Sequence, residues 1–404
     1  MKKQIFVLAF LASILQGTFS FASILLVKEY GVNNTYPGIQ VALNAAANND
    51  TIVVYDKPSG QNWIENITID KNIWIMHPVD TVRFKLFGSI TIVPKAGMDL
   101  YLVGYDLQNN FITVTTTNAT ATATNRAKIT VSNCQNITYI DFNQDWIDAR
   151  IFNNQTNISN YIRFRHGICV GNVVVNDIIA AIESTTAAQN DSIIIIGNKC
   201  ARVGVDTREF FLICNNYILN GNNLWSIDVL NRNNSGVSII QNNSCFSTYG
   251  INTYSYNNTK IVNNLIWNTS NSTGQALNNA NNGPSSPFIS HNIFRYGLGN
   301  IAGFGLNNEL NYSANNNTNY ALVDSWGRAS SGNTFCIDKG NYLGEYYDIN
   351  LTRNDIGTYG GPYSIDNYIN ASTSKAGVLY INMPHTLTNI NQLINVKASA
   401  GSKF

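Results

Sequence analysis

Three sets of charged residues in this 404-residue chain have the types and spacing that carbohydrate chemistry uses. In the first, Arg165, Asp191 and Glu209 each stand seven positions before an asparagine of an internal repeat, with Arg163, His166, Asp206 and Arg208 close by. Stacked in register, these side chains would meet on one outer face. A β-elimination on an acidic polysaccharide needs carboxylates to hold calcium and an Arg or Lys as base. A glycoside hydrolysis needs two or three carboxylates close together. The same stack also reads as a cross-strand salt-bridge row on a solvated face. The next two coils put Gly236 and Asn257 in that column, so the charges end there. In the second set Asp141, Asp145 and Asp148, with Arg150, alternate with Phe142 and Trp146, a mixture of acids and aromatics suited to sugar binding. The third set is Asp348, Arg353 and Asp355 in a Gly-rich segment. These three could hold a cation or a glycan, or pair with one another and pin the last coil.

What must position these groups is a repeat: an apolar residue, two others, Asn, one other, an apolar residue. It occurs as Cys169/Asn172/Val174, Ile195/Asn198/Cys200, Ile213/Asn216/Ile218, Ile240/Asn243/Cys245, Ile261/Asn264/Ile266 and Ile289/Asn292/Phe294. The asparagines advance by roughly 18 to 28 residues, one coil of a parallel β-helix with loops of variable length. Stacking at about 4.8 Å per coil turns each apolar position into an internal column. An Asn between two such columns suits a sharp bend, because it tolerates left-handed backbone angles and its amide can bond to the equivalent Asn above. Cys200 and Cys245 are then separated by the Ile218 coil, about 9.6 Å, too far for a disulfide. A helical solenoid is disfavoured, since the repeat is rich in Ile, Val, Thr and Asn.

The ends have their own signatures. Met1-Lys2-Lys3, an apolar run from Ile5 to Leu15 and the small-residue exit at Ala22 read as a signal peptide over 1–22, which places the mature chain in an exported, secreted or cell-surface setting. No later segment reaches about 18 uninterrupted apolar residues, so no transmembrane anchor is expected. Residues 36–55 read as a short amphipathic helix that caps the first coil, followed by a strand, with further strands at Glu65 to Ile69, Ile90 to Val93 and Leu100 to Val103. Thr113 to Thr124 is an exposed loop or edge strand, and Asn268 to Ser286 a long loop. The expected organisation is a right-handed parallel β-helix over 23–365, all-β apart from its N-terminal capping helix, and a C-terminal extension over 366–404. Strands in that extension, at Val378 to Ile381 and Leu387 to Val396, could add to the coils or mediate self-association. Only 12% of residues are charged and the net charge is +1, so nothing attracts nucleic acid. The six cysteines lack the clustering of a disulfide or zinc framework and read mostly as core hydrophobes.

The opening Ile39-Gln40-Val41-Ala42-Leu43, with Asp50-Thr51-Ile52 and Glu65-Asn66-Ile67-Thr68-Ile69, resembles the cap and first coil of β-helix proteins related to pectate lyases. The segment Arg353-Asn354-Asp355-Ile356-Gly357-Thr358-Tyr359-Gly360-Gly361 is similar to a closing motif of secreted β-helix proteins of Bacteroidetes bacteria. The resemblance covers most of residues 36 to 365 and implies the fold and export; activities in that family vary. Low charge and polar, uncharged faces favour a non-catalytic extracellular rod for adhesion, glycan contact or assembly, with polysaccharide or cell-surface glycan as partner and no cofactor. The alternative is a polysaccharide lyase or glycoside hydrolase acting on acidic polysaccharide, with calcium if a lyase. The metal question is left open by the residues themselves. An ice-binding face is disfavoured because Asn rather than a Thr-x-Thr ladder dominates the repeat.

Overall fold

The computed structural model describes residues 22–79, 82–157, 160–181, 192–208, 210–231, 237–255, 259–269, 275–279, 288–295, 308–309, 312–313, 323–348, 350–369, 376–382 and 397–402. The expected signal peptide over 1–22 therefore lies, except for Ala22, outside the described residues. Strands alternate between a 13-stranded and a 16-stranded sheet, and the neighbours within each pair in parallel, coil upon coil: a parallel β-helix. The helix Ile39–Ala45 buries Ile39, Ala42 and Leu43 over the first coil, as the sequence predicts. Its N-terminal amides at Ile39 and Gln40 donate to the Glu65 carboxylate at 2.8 and 2.9 Å, which supplies the cap that Gly38 lacks. No helix among the described residues is long and apolar enough to cross a membrane.

Both internal columns form as their residue types require. Cys169, Ile195, Ile213, Ile240, Ile261 and Ile289 stack in register and are buried. On the narrow strip after the bend, Cys200, Ile218, Cys245, Ile266 and Phe294 do the same. All six cysteines are free and buried. The Ile218 rung lies between Cys200 and Cys245 as expected.

The asparagine ladder is continuous: each Nδ2 donates to the Oδ1 of the next coil's Asn at 2.9–3.0 Å, through Asn172, Asn198, Asn216, Asn243, Asn264 and Asn292. Each Oδ1 also accepts the backbone N–H of the Asn below it. Two details depart from the sequence reading. Asn154 adds a rung before Asn172, and Cys134 replaces Asn in the coil before that, where its backbone N–H donates to Asn154 Oδ1 at 2.9 Å. The left-handed residue of each bend is not the ladder Asn but the one before it: Asn153, Gly171, Gly197, Asn215, Asn242, Asn263 and His291 all have positive φ. Turning the bend there leaves the ladder side chain directed inward, where every amide atom is paired along the stack.

Among the described residues the chain after the coils packs on their side rather than on the last coil. Residues 323–369 run back along the outside of the bends as a strap. Asn341 N–H donates to Asn263 Oδ1, Asn242 Nδ2 to Asn354 Oδ1 and to the Asp355 carbonyl, and Asn215 Nδ2 to the Thr358 and Gly360 carbonyls. The strap ends with Tyr368 against Gly171 and Gly197. From Asn263 to Gly171 is four coil steps, roughly 19 Å at the usual strand spacing. Tyr368 and Tyr363 cover an outward apolar patch on the first sheet that includes Phe152, Val170, Ile194, Ile196, Leu212 and Cys214. Packing thus continues past residue 365 into the short helix Asp366–Ile369. Beyond it Ala376–Asn382 and Lys397–Ser402 form a separate antiparallel hairpin; the expected strand at Leu387 to Val396 lies outside the described residues. The expected loop over Asn268 to Ser286 contains a strand, Leu277–Asn279, which pairs with Ser244–Ser255. A run of Asn and Ser conceals it, because its one apolar anchor is Leu277.

Candidate functional site

The outward face of the second sheet carries the candidate charges, in columns fixed by register. One column runs Phe111, Tyr139, Tyr161, Asp177, Arg202; the next runs Thr113, Asp141, Arg163, Ile179, Gly204, Asp228, Asn252, Asn278. Two members of each of the first two sequence-predicted sets meet there. Arg163 pairs with Asp141 at 2.5 Å, and Arg165 pairs with Asp145 at 3.0 Å while donating to Asn143 Oδ1 at 3.0 Å. Arg165 thus engages the preceding coil. Asp191 and Glu209, its predicted partners in the following coils, lie outside the described residues. Asp148 sits on the first sheet, around the corner, paired with Arg150 at 3.4 Å, and burial raises its carboxyl above the usual range. Trp146 is half-buried against the core.

Sequence reasoning missed two features of this face. Phe111, Tyr139 and Tyr161 stack nearly parallel, centroids 4.8 and 5.4 Å apart, and present a row of ring edges and hydroxyls. Further along, Arg202 bridges Asp228 at 2.7 Å and Asp177 at 3.8 Å, and Asn252 Nδ2 holds the second Asp228 oxygen at 2.9 Å. Burial lifts the Asp177 carboxyl, and Arg202 opposes that lift. Beside them is a depression of about 300 Å³ lined by Ile179, Arg202, Gly204, Val205, Asp206, Asp228 and Leu230. Asp206, predicted as a site residue, lies on its wall, while Arg208 follows just beyond the strand Arg202–Thr207.

The third set does not pair as expected. Arg353 donates to the carbonyls of Gly340 and Lys339 at 2.7 and 3.3 Å, away from the acids. Asp348 and Asp355 are instead joined by Asp338, with ligand oxygens of all three within 4.8 Å of one another. A hard cation such as calcium bridges oxygens at that spacing, at about 2.3–2.6 Å each; a proton relieves the same crowding. Burial pushes the Asp348 carboxyl up to about 6, partly offset by the Gly361 and Asp355 N–H donors. Burial, with Asp348 and Asp338 adding repulsion, pushes Asp355 up to about 7 against the Asp338 N–H. Both values lie above the ordinary carboxyl value of about 4. The stability linked to these protons is therefore fully present below about pH 4 and is lost as pH rises through 6 to 7. Thermal unfolding between about pH 4.5 and 8 is expected to fall by a few degrees across that window, and Asp355→Asn to flatten the slope. An unchanged slope in the variant would reject this assignment.

No family model, no curated protein and no solved structure matches the chain, so what it is rests on its fold and on the face just described.

Proposed function

We propose that the protein is an exported, non-catalytic β-helix rod that binds glycans along the outward face of its second sheet. The observation that carries this reading is the pairing pattern. Asp141, Asp145 and Asp228 are each held by an arginine of a neighbouring coil. A lyase or hydrolase would use carboxylates free and converging on a cation, water or sugar; the acids that converge, Asp338, Asp348 and Asp355, lie on the strap and not on this face. Rings, amides and fixed ion pairs on a rigid surface supply stacking edges and oriented hydrogen-bond groups, the combination that saccharides meet in binding sites. Adhesion or surface assembly is the role this chemistry serves.

The chain from Ser23, screened on immobilised neutral and acidic polysaccharides, is expected to be retained on at least one. It is expected to release neither reducing ends nor unsaturated products, with or without calcium. Product formation abolished by Arg165→Ala would replace the reading with a catalytic one. Retention on none of the polymers would remove the glycan reading altogether.

A further inference from the structure

Glycine in the middle of a strand weakens it unless something requires the missing side chain. Three glycines within strands can be compared, Gly167 and Gly250 buried and Gly204 on the outward face. At Gly167 an added Cβ would lie 2.0 Å from the Ala149 carbonyl oxygen, and φ is +120. At Gly250 it would lie 2.2 Å from the Ala276 carbonyl oxygen. Both glycines are demanded by the coil above or below. At Gly204 the nearest atoms to such a Cβ are Arg202 Nη2 and Cζ, at 3.9 and 4.0 Å, and φ is ordinary. The fold has room for a side chain there and has none.

The absent side chain is the floor of the depression. Ile179 precedes Gly204 in its column and Asp228 follows it, while Leu230 follows Asp206 in the next. The floor is thus apolar, made of Ile179, Gly204 and Leu230, and Arg202, Asp206 and Asp228 rise from it. Arg202 and Asp228 are already oriented by each other and by Asn252, which itself accepts from Asn278 at 2.8 Å. Little ordering is left to be done when a ligand binds. An apolar floor with polar groups at the rim matches one pyranose ring, whose C–H face is apolar and whose hydroxyls project sideways. Charge selects the class. Among the described residues around the depression Asp177, Asp206 and Asp228 outnumber Arg202 and Arg208, so a uronate carboxylate would meet net negative charge there.

We propose that the notch over Gly204 is the anchoring subsite for one uncharged pyranose residue of a neutral polysaccharide. This rests on the glycan-binding reading above and narrows it. The test is Gly204→Val, with Gly204→Ala as a graded companion, measured by retention on soluble β-glucan, mannan and galactan and, separately, on polygalacturonate. Valine suits a strand, and its Cβ meets only ordinary contact with the flexible end of Arg202, so far-ultraviolet circular dichroism is expected to stay as in the parent, with the unfolding midpoint of each variant measured beside it. Affinity for the neutral polymer is expected to fall roughly tenfold or more in Gly204→Val, and less in Gly204→Ala. Equal retention of parent and Gly204→Val on a neutral polymer would overturn the subsite while leaving the broader reading standing. A parent that prefers polygalacturonate would overturn the neutral class. A parent retained on nothing would overturn both.

Discussion

Asn216→Ala is expected to cost about 3–5 kcal/mol and to split the unfolding transition of the coils, because it removes the centre of a fully buried chain of amides. Asn216 Oδ1 accepts from the backbone N–H of Asn198 at 3.0 Å and from its Nδ2 at 2.9 Å. Its own Nδ2 donates to the Ile195 carbonyl and to Asn243 Oδ1, each at 2.9 Å. Alanine leaves the Asn198 donors without an acceptor where no solvent reaches, at about 1–3 kcal/mol for each orphaned group, and adds a cavity. Asn216→Asp is no rescue, since a carboxylate cannot donate to Ile195 and would be a buried charge. Urea unfolding followed by tryptophan fluorescence gives the number. For scale, Arg163→Ala on the solvated face removes an ion pair worth at most about 1 kcal/mol. If Asn216→Ala cost no more than that, the ladder would be ornament rather than support.

The second large effect is expected at Gly197. Its φ is +63, and an added Cβ would lie 2.1 Å from the Tyr368 ring. Alanine there adds left-handed strain of about 1 kcal/mol and evicts the ring that seals Phe152, Val170, Ile194, Ile196, Leu212 and Cys214. The coils themselves lose nothing, so the expected result is about 2–4 kcal/mol of destabilisation with protease cleavage appearing within residues 350–369. Tyr368→Ala removes the clash along with the contact, so the double variant should be less than additive relative to the two single ones. Full additivity would mean that the strap is not seated on Gly197.

How much of this was readable beforehand follows from what each contact is made of. The six-rung ladder is legible because its Asn is flanked at fixed offsets by residues that must be apolar, as at Ile213/Asn216/Ile218. It fades before Asn154 because Cys134 takes the rung there and carries no amide. The strap was legible only as a motif, not as a position. Its docking uses backbone carbonyls at Asp355, Thr358 and Gly360, which no side-chain pattern encodes. The charged face was half legible. Arg165 and Asp145 were both singled out, and the first sheet keeps its coils in step next to Arg165, Gly167 on Ile193 and Ser192 on Phe210, while Asp191 and Glu209 lie outside the described residues. On the second sheet the register shifts, as between Asn220 and Trp225, and no side-chain pattern announces it. The Gly204 notch needs that register, since Ile179, Gly204 and Asp228 stand in three coils joined by loops of different length.

The strap also changes what happens when the rod is pulled. Coils joined only to their neighbours separate singly, each rung unzipping under a load that only its own bonds resist. Here a single length of chain is fastened at Asn263, Asn242, Asn215 and the Gly171–Gly197 slot, along the direction in which a tether would pull. Tension on the coils between those points loads the four fastenings together, in shear. A rod held at one end and pulled at the other would stretch first outside this stretch, at the N-terminal coils before that of Phe152, the last residue that Tyr368 and Tyr363 cover.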